Sequence, residues 1–158
     1  PALCIGRRSF GDLQELPWPR ELLGELGPAH HRALAEHAPE RYVLPTGTSV
    51  PLRYPETGGL VERGWAAGES AEPPVLAARI QQLFGLRQTP RVAQGRVALL
   101  VHLLAPNQRP AQVTRDLESF WRDTYHLVRK DLRGRYPKHA WPEDPRDALP
   151  EDRPRRGR

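Results

Sequence analysis

Proline and glycine punctuate this chain heavily, and they limit how long any of its elements can be. Eighteen prolines and thirteen glycines fall among 158 residues. Proline removes a backbone donor and clashes with the preceding helical turn, while glycine ends helices and permits tight turns. The two lie in clusters that read as connections between short elements rather than as one continuous repeat. The length suits one main domain with a core of its own. Apolar residues make up 38% of the chain, which is low for a compact fold, so a packed middle with looser ends is expected.

Between these breaks the periodicity changes several times. Residues 10–38 read as two short helices, with Leu13, Leu16, Leu22, Leu23 and Leu26 before the Gly27-Pro28 break and Ala33 and Leu34 after it. Pro17-Trp18-Pro19 is expected to interrupt the first of them. Residues 42–54 alternate, with Tyr42, Leu44, Val50, Leu52 and Tyr54 around Pro45-Thr46-Gly47-Thr48, the pattern of a hairpin. Residues 55–72 carry four glycines and little periodicity, predicting a long loop with a short strand at 60–62. Pro73-Pro74 opens a segment with Leu76, Ile80, Leu83 and Phe84 on one helical face, and Gly85 closes it, predicting a helix over 74–84. The apolar run 96–104 suits one buried strand. Thr114 is then the expected N-cap of the longest helix, 115–133. Asp116 and Glu118 lie in its first turn, Leu117, Phe120, Trp121, Val128 and Leu132 form its apolar stripe, and Gly134 stops it.

Together these elements predict an α+β fold. A small, mostly antiparallel sheet from 42–54 and 96–112, open or partly closed into a barrel, packs against two main helices and follows short ones. The domain plan is a helical connector over 1–41, the main domain over 42–145, and a charged tail over 146–158 that is expected to be disordered. The proline-rich, aromatic segment 135–145 is expected to pack back in extended form.

The chemistry on offer is sparse. A P-loop needs a glycine-rich turn followed by lysine and Ser/Thr, and neither Lys130 nor Lys138 has that context. His30, His31 and His37 match no zinc spacing, with Cys4 far upstream, so no metal is expected. Cys4 lies at a terminus where nothing would fix a nucleophile, and Glu143 and Asp144 sit beside prolines in what reads as a solvated turn. No catalytic residue and no cofactor is assigned to the chain. A single cysteine excludes an internal disulfide and suits a reducing compartment, taken as the cytoplasm. The longest apolar run, 97–105, is too short to span a membrane and is interrupted by His102.

Basic charge is almost all arginine, with 22 arginines against two lysines and a net charge of +5. That skew also follows from a GC-rich genome, so it decides little alone. The densest basic stretch is 129–139, RKDLRGRYPKH, with five Arg or Lys against one Asp and with Trp141 close behind. Cations neutralise phosphates and aromatic rings stack on unpaired bases. The candidate nucleic-acid contacts are therefore Arg129, Lys130, Arg133, Arg135, Tyr136, Lys138 and Trp141. A structural reading stands beside it, in which cations near a helix C-terminus stabilise its dipole and Tyr136 and Trp141 belong to the core. Arg87, Arg91 and Arg96, with no acid between them, extend the basic surface or form an ordinary solvated face.

Four ordered strings carry a family resemblance: YVLPTGTSVPLRY (42–54), PPVLAARIQQLFGL (73–86), TPRVAQGRVALLVHLLAPNQRPAQVTRDLESFW (89–121) and VRKDLRGRYPKHAWPEDP (128–145). Over 42–145 the chain resembles the C-terminal domain of the bacterial HrpB-type helicases, ATP-dependent RNA helicases of the Asp-Glu-Ala-His class. Residues 1–41 match loosely as a helical connection, and the stretch between Tyr54 and Pro73 is longer than the family usually has. The resemblance implies a module behind two motor domains, which would be its partners together with RNA. ATP and magnesium would belong to those motors, and the chain reads as an excised domain. It would guide RNA to the motor or, as the alternative, serve as a protein-docking module in which RGRYPKHAWPEDP seats against another surface.

Overall fold

The computed structural model describes residues 5, 6, 9, 11, 18–55 and 72–152. The chain divides into two compact units, 1–38 and 39–158. In the first, α1 (Trp18–Glu25) and α2 (Pro28–His37) are the two short helices expected there. They part at Gly27, whose extended backbone (φ −70°, ψ 164°) precedes Pro28 at the start of α2. A missing N–H costs nothing in a helix's first turn, so proline fits at this point. No residue of α2 is buried. The expected break around Pro17 and the expected strand at 60–62 lie outside the described residues.

In the second unit, β1 (Arg41–Val43) and β2 (Ser49–Arg53) form the expected hairpin, with Tyr42 opposite Val50. Its turn closes through the Gly47 amide, which donates to the Leu44 carbonyl. Gly47 sits at φ +83°, a left-handed backbone that side-chain-bearing residues resist. Next comes the main departure from the sequence reading. Residues 75–79 form β3, and Ile80–Leu83 make one turn of 3-10 helix, in place of the helix expected over 74–84. Leu76, Ile80, Leu83 and Phe84 fit a helical stripe, but Leu76, Ala78 and Ile80 equally fit a period of two, and all three are buried. Position decides between them. β3 lies inside the sheet, antiparallel to β2 and parallel to β6, so both its edges are hydrogen-bonded.

The apolar run at 96–104 is also divided, at Leu99. Before it, β4 (Arg91–Val92) and β5 (Val97–Ala98) form a separate small hairpin; after it, β6 (Leu100–Leu104) enters the main sheet between β3 and β7 (Pro110–Thr114). Leu99 is fully buried, and its amide donates to the Pro90 carbonyl at 2.9 Å. The sheet order β1-β2-β3-β6-β7 has three antiparallel pairs and one parallel pair. The mostly antiparallel α+β class therefore holds. The sheet is open, with no barrel closure among the described strands.

One continuous helical segment covers the sheet: α3 (Leu117–Ser119), a π-helical turn (Phe120–Thr124) and α4 (Tyr125–Arg135). Its N-cap is Asp116 rather than Thr114. The Asp116 carboxylate accepts from the Ser119 amide at 3.0 Å, while the Thr114 hydroxyl accepts the Asp116 amide and donates to its carbonyl. In the wide turn the Tyr125 amide reaches back to the Phe120 carbonyl. The extra residue keeps Phe120, Trp121 and Tyr125 all buried. With Phe84 they make a four-ring cluster whose centroids lie 4.9 to 6.3 Å apart, mostly at edge or tilted angles. Such pairs add about 0.5–1.5 kcal/mol each beyond area burial. Gly134 is still helical. The helix ends instead at Tyr136 (φ −131°), because Pro137 pushes the residue before it away from helical backbone.

The segment after the helix packs back as expected, and further than expected. The Tyr125 hydroxyl donates to the Pro142 carbonyl, and the Gly85 amide donates to the Pro145 carbonyl. A disordered tail was expected from residue 146, yet residues 146–152 are tied down. Arg87 pairs with Asp147, the Glu151 amide donates to the Gln81 carbonyl, and Asp152 accepts from Thr48, Arg79 and Gln82. Residues 153–158 lie outside the described part.

Candidate nucleic-acid interface

Helix α4 carries its basic residues because its other side is needed for the core. Tyr125 and Leu132 are buried and Val128 is half-buried, which leaves Lys130, Arg133 and Arg135 on the exposed surface with Lys138 just beyond. Among the described residues Lys130, Arg133 and Lys138 form no ion pair. Arg135 pairs with Asp131 one turn back at 3.1 Å, with both side chains more than half exposed. Such a pair is worth only about 0.3–0.5 kcal/mol, so a phosphate can replace the carboxylate at little cost.

Two of the seven sequence candidates are committed elsewhere. Trp141 is 8% exposed, and its indole donates to the Tyr136 carbonyl at 2.9 Å. Its ring is part of the core, so it offers no open face for a base to stack on. Arg129 donates from Nε to the Trp141 carbonyl at 2.8 Å and reaches Glu143 at 3.7 Å. It holds the returning segment against α4. Tyr136 is half-buried and meets His139 edge to face at 6.3 Å. Burial, and then the nearby Arg79 guanidinium, lower the His139 pKa from its ordinary value. Both effects favour the neutral imidazole over the cation.

A groove of roughly 530 Å³ runs between the β6–β7 turn and the C-terminal half of α4. Ala105, Pro110, Ala111, Val128 and Leu132 line its apolar part, and Asn107, Arg109, Asp131, Arg135 and Tyr136 its polar part. A second depression of about 540 Å³ on the other flank of α4 is lined by Arg129, Arg133, Pro137, His139, Trp141 and Glu143. The sequence reading missed Arg109 and Asn107. They lie more than 20 residues from Arg135, and only the β6–β7 turn brings them to the same groove. The signal available in the sequence was a polar turn, Pro106-Asn107-Gln108-Arg109, and it did not say what the turn would face.

The geometry defines a small, basic α+β module whose open surface suits anion binding. The chain belongs to the family described as ATP-dependent helicase C-terminal, whose model matches residues 2–145. It is 40% identical over 145 residues to the ATP-dependent RNA helicase HrpB of Escherichia coli K12, covering 92% of this chain and 16% of that protein. A crystal structure of the E. coli DExH-box NTPase HrpB superposes with a TM-score of 0.74 at 38% identity, over 94% of this chain and 17% of the other. A crystal structure of the E. coli DEAH/RHA helicase HrpB gives 0.57 at 38% identity, over 87% and 16%. The chain thus spans about a sixth of the length of the relatives it matches. The family match also takes in nearly all of residues 1–41.

Proposed function

We propose that this domain binds RNA for a helicase motor, holding a strand on the surface of α4 and in the adjoining groove as the motor works on it. The supporting observation is the convergence of Arg109 and Arg135, from separate elements, on one groove beside Tyr136. Exposed Lys130 and Lys138 add positive charge along the helix and past its end, and exposed Arg133 does so on its other flank. Guanidinium forks and ammonium groups would neutralise phosphates, and the exposed part of Tyr136 would meet an unpaired base. ATP and magnesium chemistry would belong to motor domains in the parent chain, and this domain would contribute no hydrolysis of its own. A cytoplasmic setting goes with this reading. No described helix is long and apolar enough to cross a membrane.

Fluorescent single-stranded and duplex RNAs titrated across a salt series test the proposal. The triple variant Arg133→Ala, Arg135→Ala, Lys138→Ala is expected to weaken single-strand binding and to reduce the log–log salt slope by about 2, at roughly 0.7 per lost phosphate contact. Undiminished binding by a folded triple variant would remove this site. Leu127, 61% exposed on the same groove, favours protein docking as the second reading. Loss of motor-domain association in Leu127→Asp with RNA affinity intact would select it.

A further inference from the structure

From Pro73 to Arg115 the sequence contains no Asp or Glu, yet it carries six arginines. Two of these are neutralised from the C-terminal segment, Arg79 by Asp152 and Arg87 by Asp147. Arg109 lies in the groove described above. The remaining three, Arg91, Arg96 and Arg115, are exposed and form no ion pair among the described residues.

Arg91 and Arg96 flank the turn of the β4–β5 hairpin, and the turn itself holds them. Arg91 donates from Nε to the Gly95 carbonyl and from Nη2 to the Arg96 carbonyl at 3.4 Å. Arg96 donates from Nε to the Ala93 carbonyl at 3.1 Å. A guanidinium has five donors in a fixed fork, so these bonds orient each group and leave most of its donors to solvent. The turn keeps this arrangement despite an unfavourable backbone, since Ala93 and Gln94 sit at φ +52° and +54° before Gly95 at +81°. Non-glycine residues adopt that region at a cost. At the root of the hairpin the Thr89 hydroxyl donates to the Arg115 carbonyl at 3.1 Å and accepts the Leu117 amide at 2.9 Å. That link sets Arg115 beside the start of β4.

We infer that the β4–β5 hairpin, with Arg115 at its base, is a second contact site for the phosphodiester backbone of a nucleic acid, separate from the α4 groove. The tip residues Ala93, Gln94 and Gly95 offer no aromatic face for a base, so the contact is to phosphate and reads no sequence. Planar guanidinium forks without carboxylate partners match phosphate oxygens in geometry as well as charge. Arg115 follows one end of the β6–β7 ladder and Arg109 precedes the other. The six residue steps from Arg109 to Arg115 along β7 span about 20 Å at roughly 3.3 Å each, so a single strand can engage both. The inference takes its partner from the RNA-binding reading but rests on different residues.

The test uses the full chain and fluorescein-labelled oligouridylate of about 16 nucleotides. Arg91→Gln with Arg96→Gln keeps a donor for the turn carbonyls but removes both charges. The expected result is several-fold weaker binding at low salt and a salt slope reduced by about 1.4, two contacts at roughly 0.7 each. Arg91→Lys with Arg96→Lys should restore most of the slope. Normal binding by the Gln pair, alongside weak binding by the α4 triple variant, overturns the hairpin site and leaves the groove reading intact. The reverse pattern supports the hairpin and removes the groove. Equal loss in the Gln and Lys pairs makes the effect one of turn structure and overturns the inference. Failure of the unmodified chain to bind at low salt overturns both readings.

Discussion

Asp144 shows how little of a charged residue's behaviour can be read from its neighbours in sequence. Glu143 and Asp144 look alike beside their prolines, yet Asp144 accepts from both the side chain and the backbone amide of Arg146 at 2.7 to 2.9 Å. Those bonds favour the charged form and lower its pKa to about 2. The sign follows directly. A carboxylate with a depressed folded-state pKa stabilises the fold above its ordinary value, and that contribution is lost as pH falls towards 2. An NMR titration should place the Asp144 midpoint near 2 in the native chain and, in Arg146→Ala, move it up towards but not to the ordinary aspartate value of about 3.9, because the backbone amide at 146 still donates. An unchanged midpoint in the variant would mean that Arg146 is not the cause. At the same scale, the sequence identified the basic cluster at 129–139 but not its internal division. Trp141 and Arg129 face inward because the returning segment needs an anchor, whereas Lys130, Arg133 and Lys138 remain outside.

At the scale of elements, the hairpin at 41–53 and the long helix were legible because only one period fits their residues. The segment 75–83 was not, since its apolar positions satisfy both a period of two and one of 3.6. Ala77 and Ala78 favour helix locally, but a place between β2 and β6 satisfies the backbone on both sides and outweighs that preference. The segment 146–152, the described part of the tail expected to be disordered, was misread for the opposite reason. It has few apolar groups and was expected to be free, yet polar contacts fix it. Asp152 is central, because its carboxylate and carbonyl receive donors from the β1–β2 turn, from β3 and from the 3-10 turn. Asp152→Ala should cost about 1–2 kcal/mol in urea denaturation, a modest figure because the site is partly exposed. Hydrogen exchange at the Glu151 amide should quicken at the same time. A variant that leaves both stability and exchange unchanged would show that the clasp holds without Asp152.

Among the described residues, every member of the hydrophobic core lies at Tyr42 or later, and no residue of α2 is fully buried. Residues 39–158 are therefore expected to fold without the first unit. A fragment of that length should unfold in one cooperative transition with a midpoint within a few degrees of the full chain's, and a broad or missing transition would refute this. The sequence alone determined the α+β class, the hairpin, the position of the long helix and the family, because these depend on local periodicity and on long ordered motifs. Tertiary structure decided the strand at 75–79, the split at Leu99, the wide turn under the aromatic cluster and the pairing of Arg109 with the α4 surface. Each of those depends on which distant backbone edge or side chain stands opposite, and period and propensity along one chain do not contain that information.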